Sequence, residues 1–310
     1  MFSRLSVKSI RPLVSFRSLS SGLTSISPVE QSHFNQLASS WWDVNGPQRI
    51  LHKMNLLRMD FITNTIKSHL VLNDYNNMVN VAEEEIYIPG FDVGLLDDAI
   101  ADSVLQDQET RRQELLRGMR LKCLDIGCGG GIFSESMARL PYVGSVKGID
   151  LSEEVLAVAK NHAALDPILE KKLSYDLQAV EQIDESLEQY DVVSMFEMLE
   201  HVDYPAEVLK SAIRLVKPGG WVFLSTINRD FISWFTTIAM GEYVLKIVPK
   251  GTHTHSKYIN EKEIEEWFDK NPEFEVKESK GCVYLPAYGW KFTENEHVGN
   301  YFMAIKRVTK

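Results

Sequence analysis

The stretch LDIGCGGGIFSES, residues 124–136, decides the fold. An apolar run, LKCLDI at 121–126, leads into it and reads as a buried strand. Gly127, Gly129, Gly130 and Gly131 follow, and a helical apolar spacing begins near Ile132 and runs to about Leu140. Strand, glycine turn and helix in that order open a βαβ unit. Glycines at such a turn let backbone approach a ligand closely and leave the N–H groups of the helix start free. The dinucleotide fingerprint G-x-G-x-x-G is not met, because Ile132 stands where its third glycine belongs. Asp125, two residues before the loop, suits an ammonium-bearing ligand better than a pyrophosphate. Asp150 ends the next strand, SVKGID at 145–150, where a carboxylate can accept hydrogen bonds from both hydroxyls of a ribose.

Outward from this unit the pattern keeps alternating. SEEVLAVAKNHAA (152–164) reads as a helix capped by Ser152, and LSYDLQA (173–179) and YDVVSMF (190–196) as strands. PAEVLKSAIRLV (205–216) is a helix ended by the tight turn KPGG, and WVFLSTI (221–227) is a fifth strand. After an insertion at 229–258, NEKEIEEWFDK (260–270) is a helix, with last strands near FEVKES (274–279) and YFMAIKRV (301–308). The expected fold is α/β, a doubly wound and mostly parallel sheet. Ahead of it, residues 30–67 form an N-terminal helical cap, with Phe34, Leu37 and Trp41 at helical spacing.

The chain has 310 residues, 44% of them hydrophobic, enough for one core. Its net charge of −10 argues against a nucleic-acid partner. Residues 68–110 hold ten acids and no lysine or arginine, so this stretch alone carries the whole net charge. It shows no clear periodicity, and residues 68–117 are expected to be an acidic, partly disordered insertion. Cys123, Cys128 and Cys282 are an odd set without metal spacing, which fits a reducing compartment. No apolar run is long enough to span a bilayer. Residues 1–29 hold Arg4, Lys8, Arg11, Arg17 and nine serines, with no acid before Glu30. Apolar residues are interspersed with the cations, as in an organelle transit peptide rather than a secretory signal.

The loop, Asp125 and Asp150 together resemble class I S-adenosylmethionine-dependent methyltransferases. The resemblance implies a Rossmann-like sheet with an antiparallel last strand. It also implies that loop glycines face the amino-acid end of the cofactor while the second-strand acid grips the ribose. In amino-DNA methyltransferases an Asn/Asp-Pro-Pro-aromatic signature follows the fourth strand; here that place holds MFEMLEHVDYP, 195–205. Four stretches narrow the match: WWDVNGPQRILHKMNLLRMDFI (41–62), LDIGCGGGIFSESMARL (124–140), MFEMLEHVDYP and STINRDFISWF…VPKGTHTHSKYI (225–259). Together they resemble the ubiquinone-biosynthesis O-methyltransferase family in its mitochondrial form. The resemblance covers about residues 33–67 and 118–308.

Membership would imply methyl transfer from S-adenosylmethionine to catechol hydroxyls of polyprenylated dihydroxybenzoate and demethylubiquinol intermediates. It would also imply a multi-enzyme ubiquinone-biosynthesis complex, peripheral on the matrix side of the mitochondrial inner membrane. By the same resemblance Arg58, Asp125, Gly127, Gly129, Asp150 and Phe196 are cofactor contacts, Phe196 beside the adenine. Glu197, Glu200 and His201 fall on the family's metal ligands and are the catalytic candidates.

The chemistry of the residues is compatible with that set. A catechol hydroxyl has a pKa near that of tyrosine, ~10, and must be at least partly ionised to attack. A divalent cation chelating both hydroxyls would lower that pKa, and two carboxylates with an imidazole suit Mg²⁺, Mn²⁺ or Zn²⁺. His201 alone as general base is a second reading, and a helix start with solvated glutamates a third. A soluble-catechol O-methyltransferase and a non-catalytic scaffold are the alternative functions. The insertion at 229–258 carries Phe231, Ile232, Trp234 and Phe235 beside Lys246, Lys250 and Lys257. It reads as a substrate lid or as an interfacial membrane element.

Overall fold

The structure, a computed structural model, describes residues 28–70, 95–230, 233, 255–285 and 288–309. The expected transit segment and most of the 229–258 insertion lie outside the described residues, as do residues 71–94. The helices are α1 (Pro28–Leu37), α2 (Arg49–Ser68), α3 (Asp98–Gly118), α4 (Ile132–Ala138), α5 (Glu153–Ala163), α6 (Pro205–Arg214) and α7 (Glu261–Asp269). The strands are β1 (Leu121–Ile126), β2 (Val143–Asp150), β3 (Leu173–Leu177), β4 (Tyr190–Phe196), β5 (Val216–Ile227), β6 (Phe274–Leu285), β7 (Gly289–Thr293) and β8 (Asn300–Arg307).

They form one sheet in the order β3-β2-β1-β4-β5-β8-β6-β7. Pairings from β3 through β5 are all parallel; β8 runs antiparallel to β5 and β6, and β7 antiparallel to β6. The chain steps outward from β1 to β3, then returns to lay β4 on the other side of β1. At that reversal the carboxyl ends of β1 and β4 diverge and leave a crevice. The expected fold is thus observed, with β7 added. KPGG is taken into the start of β5, where Gly219 at φ 76° turns the strand.

The central strands read as continuous apolar runs because both faces are covered. One face packs under α6 and α7, with Leu209, Ile264 and Phe268 in the core. The other packs under α4 and α2, with Phe133, Met137, Phe61 and Ile62 buried. Helix α2 buries Met54, Asn55, Arg58, Phe61, Ile62, Thr65 and Ile66 along one stripe, with an arginine in its middle. The predicted cap at Ser152 is present, and the structure adds a second at α7. Ser152 accepts from Val155 N at 3.1 Å, and at the start of α7 Glu263 reaches back to accept from Asn260 N at 2.8 Å. All three cysteines are buried free thiols.

The acidic region departs from expectation over its second half. Residues 98–118 form α3, capped by Asp97, whose side chain accepts from Ala99 N at 3.1 Å. Only Leu116 of α3 is buried, and an ion pair between Lys67 and Glu109 ties it to α2. A helix with so little buried surface leaves no 3.6-residue stripe to read. Among the described residues no helix is long and apolar enough to cross a membrane.

Candidate active site

The crevice between β1 and β4 opens into a cleft of about 900 Å³. Eight of the nine residues singled out in the sequence line it: Arg58, Asp125, Gly127, Gly129, Asp150, Phe196, Glu197 and His201. The glycine loop forms its floor. Gly127 sits at φ 71°, and a Cβ there would also meet Met198 at 3.0 Å, so the position requires glycine on both counts. At the tip of β2, Asp150 accepts from Gly129 N at 2.9 Å, Leu151 N at 2.8 Å and Ser152 N at 3.0 Å. A carboxylate has about four acceptor positions, so one remains clear, on Oδ2. Burial raises the pKa of Asp150, and the three backbone donors oppose that shift.

Arg58 enters from the opposite side, on the buried stripe of α2. Its guanidinium lies 5.1 Å from the centroid of Phe196 and its Nη2 is 3.6 Å from Met54 Sδ. Its Nε is buried and, among the described residues, has no hydrogen-bond partner. Desolvation pulls the pKa of this group down, against the opposing pull of Glu197 and Asp125. A buried, unpaired cationic donor at a cleft wall is costly unless an anionic ligand completes it. Asp125 is already engaged, accepting from Ser134 Oγ at 2.5 Å and Ser194 Oγ at 3.0 Å. Burial pushes its pKa up to about 6.

Glu197, just beyond β4, is the one non-glycine residue at positive φ among those described, at 52°. Such a conformation costs of order 1–3 kcal/mol and persists only where neighbours over-determine it. Those neighbours are Ser225 Oγ, donating to Oε1 at 2.7 Å, and Asn300 Nδ2, donating to Oε2 at 3.1 Å. Glu200 is buried and accepts from Thr226 Oγ1 at 2.8 Å. Burial and then repulsion from Glu197 push its pKa up to about 6, with His201 acting the other way. His201 meets the ring of Phe34 edge-on at 5.0 Å and stands on the cleft wall with Glu197.

The expected three-ligand set is therefore only partly assembled. Glu200 does not line the cleft; its carboxylate is turned to Thr226, because a 3-10 turn over Leu199–His201 replaces the regular helical turn. Among the described residues no three His, Cys, Asp or Glu side chains converge on a metal-sized position. As arranged here, Glu197, Glu200 and His201 do not fit a bound cation.

A smaller annex of about 400 Å³ continues past Asp150, lined by Leu151, Gln178, Ala179, Val180 and Met198. Phe196 is not part of it. That ring lines the cleft at the Arg58 end, 4.8 Å from Phe133. The annex was not singled out in the sequence because the short apolar stretches after β3 and β4 carry no motif. Gln31, Phe34 and Trp41 also line the cleft. Gln31 Nε2 donates to Leu151 O at 2.9 Å and Ser152 Oγ to Asn35 Oδ1 at 2.7 Å, so α1 lies over the rim. The lid or membrane reading of 229–258 rests on Phe231, Ile232, Trp234, Phe235, Lys246 and Lys250, all outside the described residues, and on Lys257, which is described and pairs with Asp203 at 3.2 Å.

A family model described as a methyltransferase domain matches residues 99–278. The chain is 61% identical to the mitochondrial ubiquinone biosynthesis O-methyltransferase of Candida albicans, over 93% of this chain and 87% of that protein. It is 48% identical to the protein of the same name from Saccharomyces cerevisiae, over 92% and 89%. It is 36% identical to the ubiquinone biosynthesis O-methyltransferase of Hydrogenovibrio crunogenus, over 90% and 93%.

Proposed function

This chain belongs to the ubiquinone biosynthesis O-methyltransferase family, and from that membership we propose that its cleft methylates a catechol hydroxyl on a ubiquinone precursor, with S-adenosylmethionine as methyl donor. One observation carries the reading. A single cleft holds the glycine loop and Asp150 on one side and Glu197 and His201 on the other, so donor and acceptor would meet inside it.

The cofactor supplies a methyl group on a positively charged sulfur. Asp150 would take the ribose through the free position on Oδ2, and the annex beside Met198 and Ala179 would take the adenine. Arg58 would pair with the carboxylate of the amino-acid end, filling the vacant position at its Nε side. His201 would accept the proton leaving the catechol oxygen as that oxygen attacks, and Glu200 would stabilise the imidazolium by charge. Glu197, fixed by Ser225 and Asn300, would hold the catechol in line.

The divalent cation implied by the family resemblance would require Glu200 to leave Thr226, so no step above depends on one. Turnover in a strong chelator would assign deprotonation to His201 alone. Loss of turnover restored by Mg²⁺, Mn²⁺ or Zn²⁺ would assign it to a cation on a rearranged Glu197–Glu200–His201 set. A mitochondrial site of action is supported by the names of the two fungal relatives. A peripheral position on the matrix side of the inner membrane, and membership of a multi-enzyme complex, extend that reading. A polyprenyl tail has to be presented at a membrane surface, and liposome sedimentation tests this.

The deciding assay is methyl transfer to tailed and tailless catechols. Preference for the tailed substrate supports the ubiquinone reading. Equal use would favour a soluble-catechol enzyme, and cofactor binding without turnover a scaffold.

A further inference from the structure

Trp42 does not line the cleft, yet its contacts meet at the glycine loop. Its Nε1 donates to Gly130 O at 2.9 Å. Its ring lies flat on the imidazole of His162 in α5, with centroids 3.4 Å and planes 4° apart. His52 of α2 meets the same indole edge-on at 5.5 Å and places its Nε2 3.0 Å from Trp41 O. His162 is held in turn by Glu135 of α4, with Nδ1 2.8 Å from Oε1. The carboxylate of Glu135 is wholly buried, and its other oxygen accepts from Arg139 Nη2 at 3.0 Å; Arg139 also pairs with Asp166. A continuous path of contacts thus runs from α4, through α5 and Trp42, back to the loop that precedes α4.

Trp41, next in the chain, presses on the same loop. A Cβ at Gly129 would stand 2.5 Å from Trp41 Cζ2, and one at Gly130 2.2 Å from Trp41 Cδ1. Glu135 and His162 take no part in the chemistry assigned to the cleft. Burying a carboxylate costs desolvation, which its two cationic or ring partners offset. What the arrangement achieves is one fixed indole. A loop with several glycines loses much conformational freedom on ordering, and a ligand that must order it binds more weakly.

We propose that His162 and Trp42 are positioning residues for the cofactor, the stacked pair fixing Gly130 and with it the loop N–H groups on which the cofactor seats. This rests on the reading of the cleft as an S-adenosylmethionine site. The test uses the full chain, with S-adenosylhomocysteine affinity measured by calorimetry beside KM and kcat. His162→Ala and Trp42→Ala should each weaken affinity by roughly 5–10-fold, the size of one hydrogen bond or aromatic pair, and raise the cofactor KM in step. With cofactor saturating, kcat should stay within about twofold, because uniform binding alone is lost. The double variant should bind no worse than Trp42→Ala, since His162 acts through the indole. Trp42→Phe keeps a stacked ring but drops the bond to Gly130, and should fall between the parent and Trp42→Ala. Unchanged affinity in folded variants, additive losses, or a fall in kcat at unchanged affinity would overturn the proposal. If Trp42→Ala does not fold, His162→Ala and Trp42→Phe carry the test. Failure of the parent protein to bind would instead overturn the cofactor reading.

Discussion

Arg58 lies 5.1 Å from the centroid of Phe196 with its Nε buried and, among the described residues, without a hydrogen-bond partner. Replacing it removes a charge-assisted contact worth about 1.5–3 kcal/mol. Arg58→Met should therefore weaken S-adenosylhomocysteine by roughly 10–100-fold. Arg58→Lys should recover only part, because one ammonium cannot reproduce the guanidinium fork. Calorimetry on folded variants checks both. Parental affinity in Arg58→Met would remove the carboxylate assignment.

Asp150→Asn tests the other end of the cofactor. The amide oxygen can keep Leu151 N and Ser152 N, but the amide nitrogen then faces Gly129 N donor to donor, and the Oδ2 acceptor for ribose hydroxyls is gone. Affinity should fall by about 1.5–3 kcal/mol. A cofactor Kd that did not move in this variant would mean the ribose lies elsewhere.

Gly130 differs from its neighbours because its φ is not positive. The three atoms a Cβ there would meet first all belong to the ring of Trp41, at 2.2–2.7 Å. Gly130→Ala should cost about 1–3 kcal/mol of stability through overpacking. In a Trp41→Ala background the same substitution should cost much less. Urea unfolding of the four proteins measures the coupling, and additive losses would show that Trp41 is not what the loop packs against.

Glu200 and Asp125 make stability depend on pH. Burial raises Glu200 from an ordinary 4.5, and Asp125 from 3.8, to about 6. The folded state then binds these protons more tightly than the unfolded state. Their stabilising contribution is complete below the ordinary carboxylate pKa and is lost as pH rises through about 6. Glu200→Gln should flatten part of that fall between pH 4.5 and about 6 in urea titrations. An unaltered slope would mean that Glu200 is as acidic folded as unfolded.

His201→Ala should lower kcat by roughly 10²–10⁴, the range for a general acid–base group, with cofactor affinity preserved. Rapid-quench methyl transfer measures the chemical step directly. Turnover close to the parent would take the proton away from His201.

The order of strands and helices was readable because each depends on short-range rules. An apolar run between covered faces marks β1 and β4, and the side chain of Ser152 marks a helix start within three residues of itself. The glycine loop, Asp150 and the Glu197–His201 group were readable for the same reason: their residue types and spacing are local. What joins them is not local. Trp42 meets Gly130 across 88 residues and Gln31 meets Leu151 across 120, and no window of sequence contains both partners. Glu200 looked like a ligand from its spacing, but Thr226, at the end of β5, supplies the donor that turns it away from the cleft. Helix α3 hid because it buries almost nothing, and the ring of Phe196 is fixed by Phe133 and Phe302, which lie far from it in the chain. The sequence alone determined the run of alternating strands and helices and the chemical character of the cleft, since hydrogen-bonding and burial periods are written residue by residue. Which groups face one another across it was decided only by tertiary packing, where a side chain's direction depends on partners brought from distant parts of the chain.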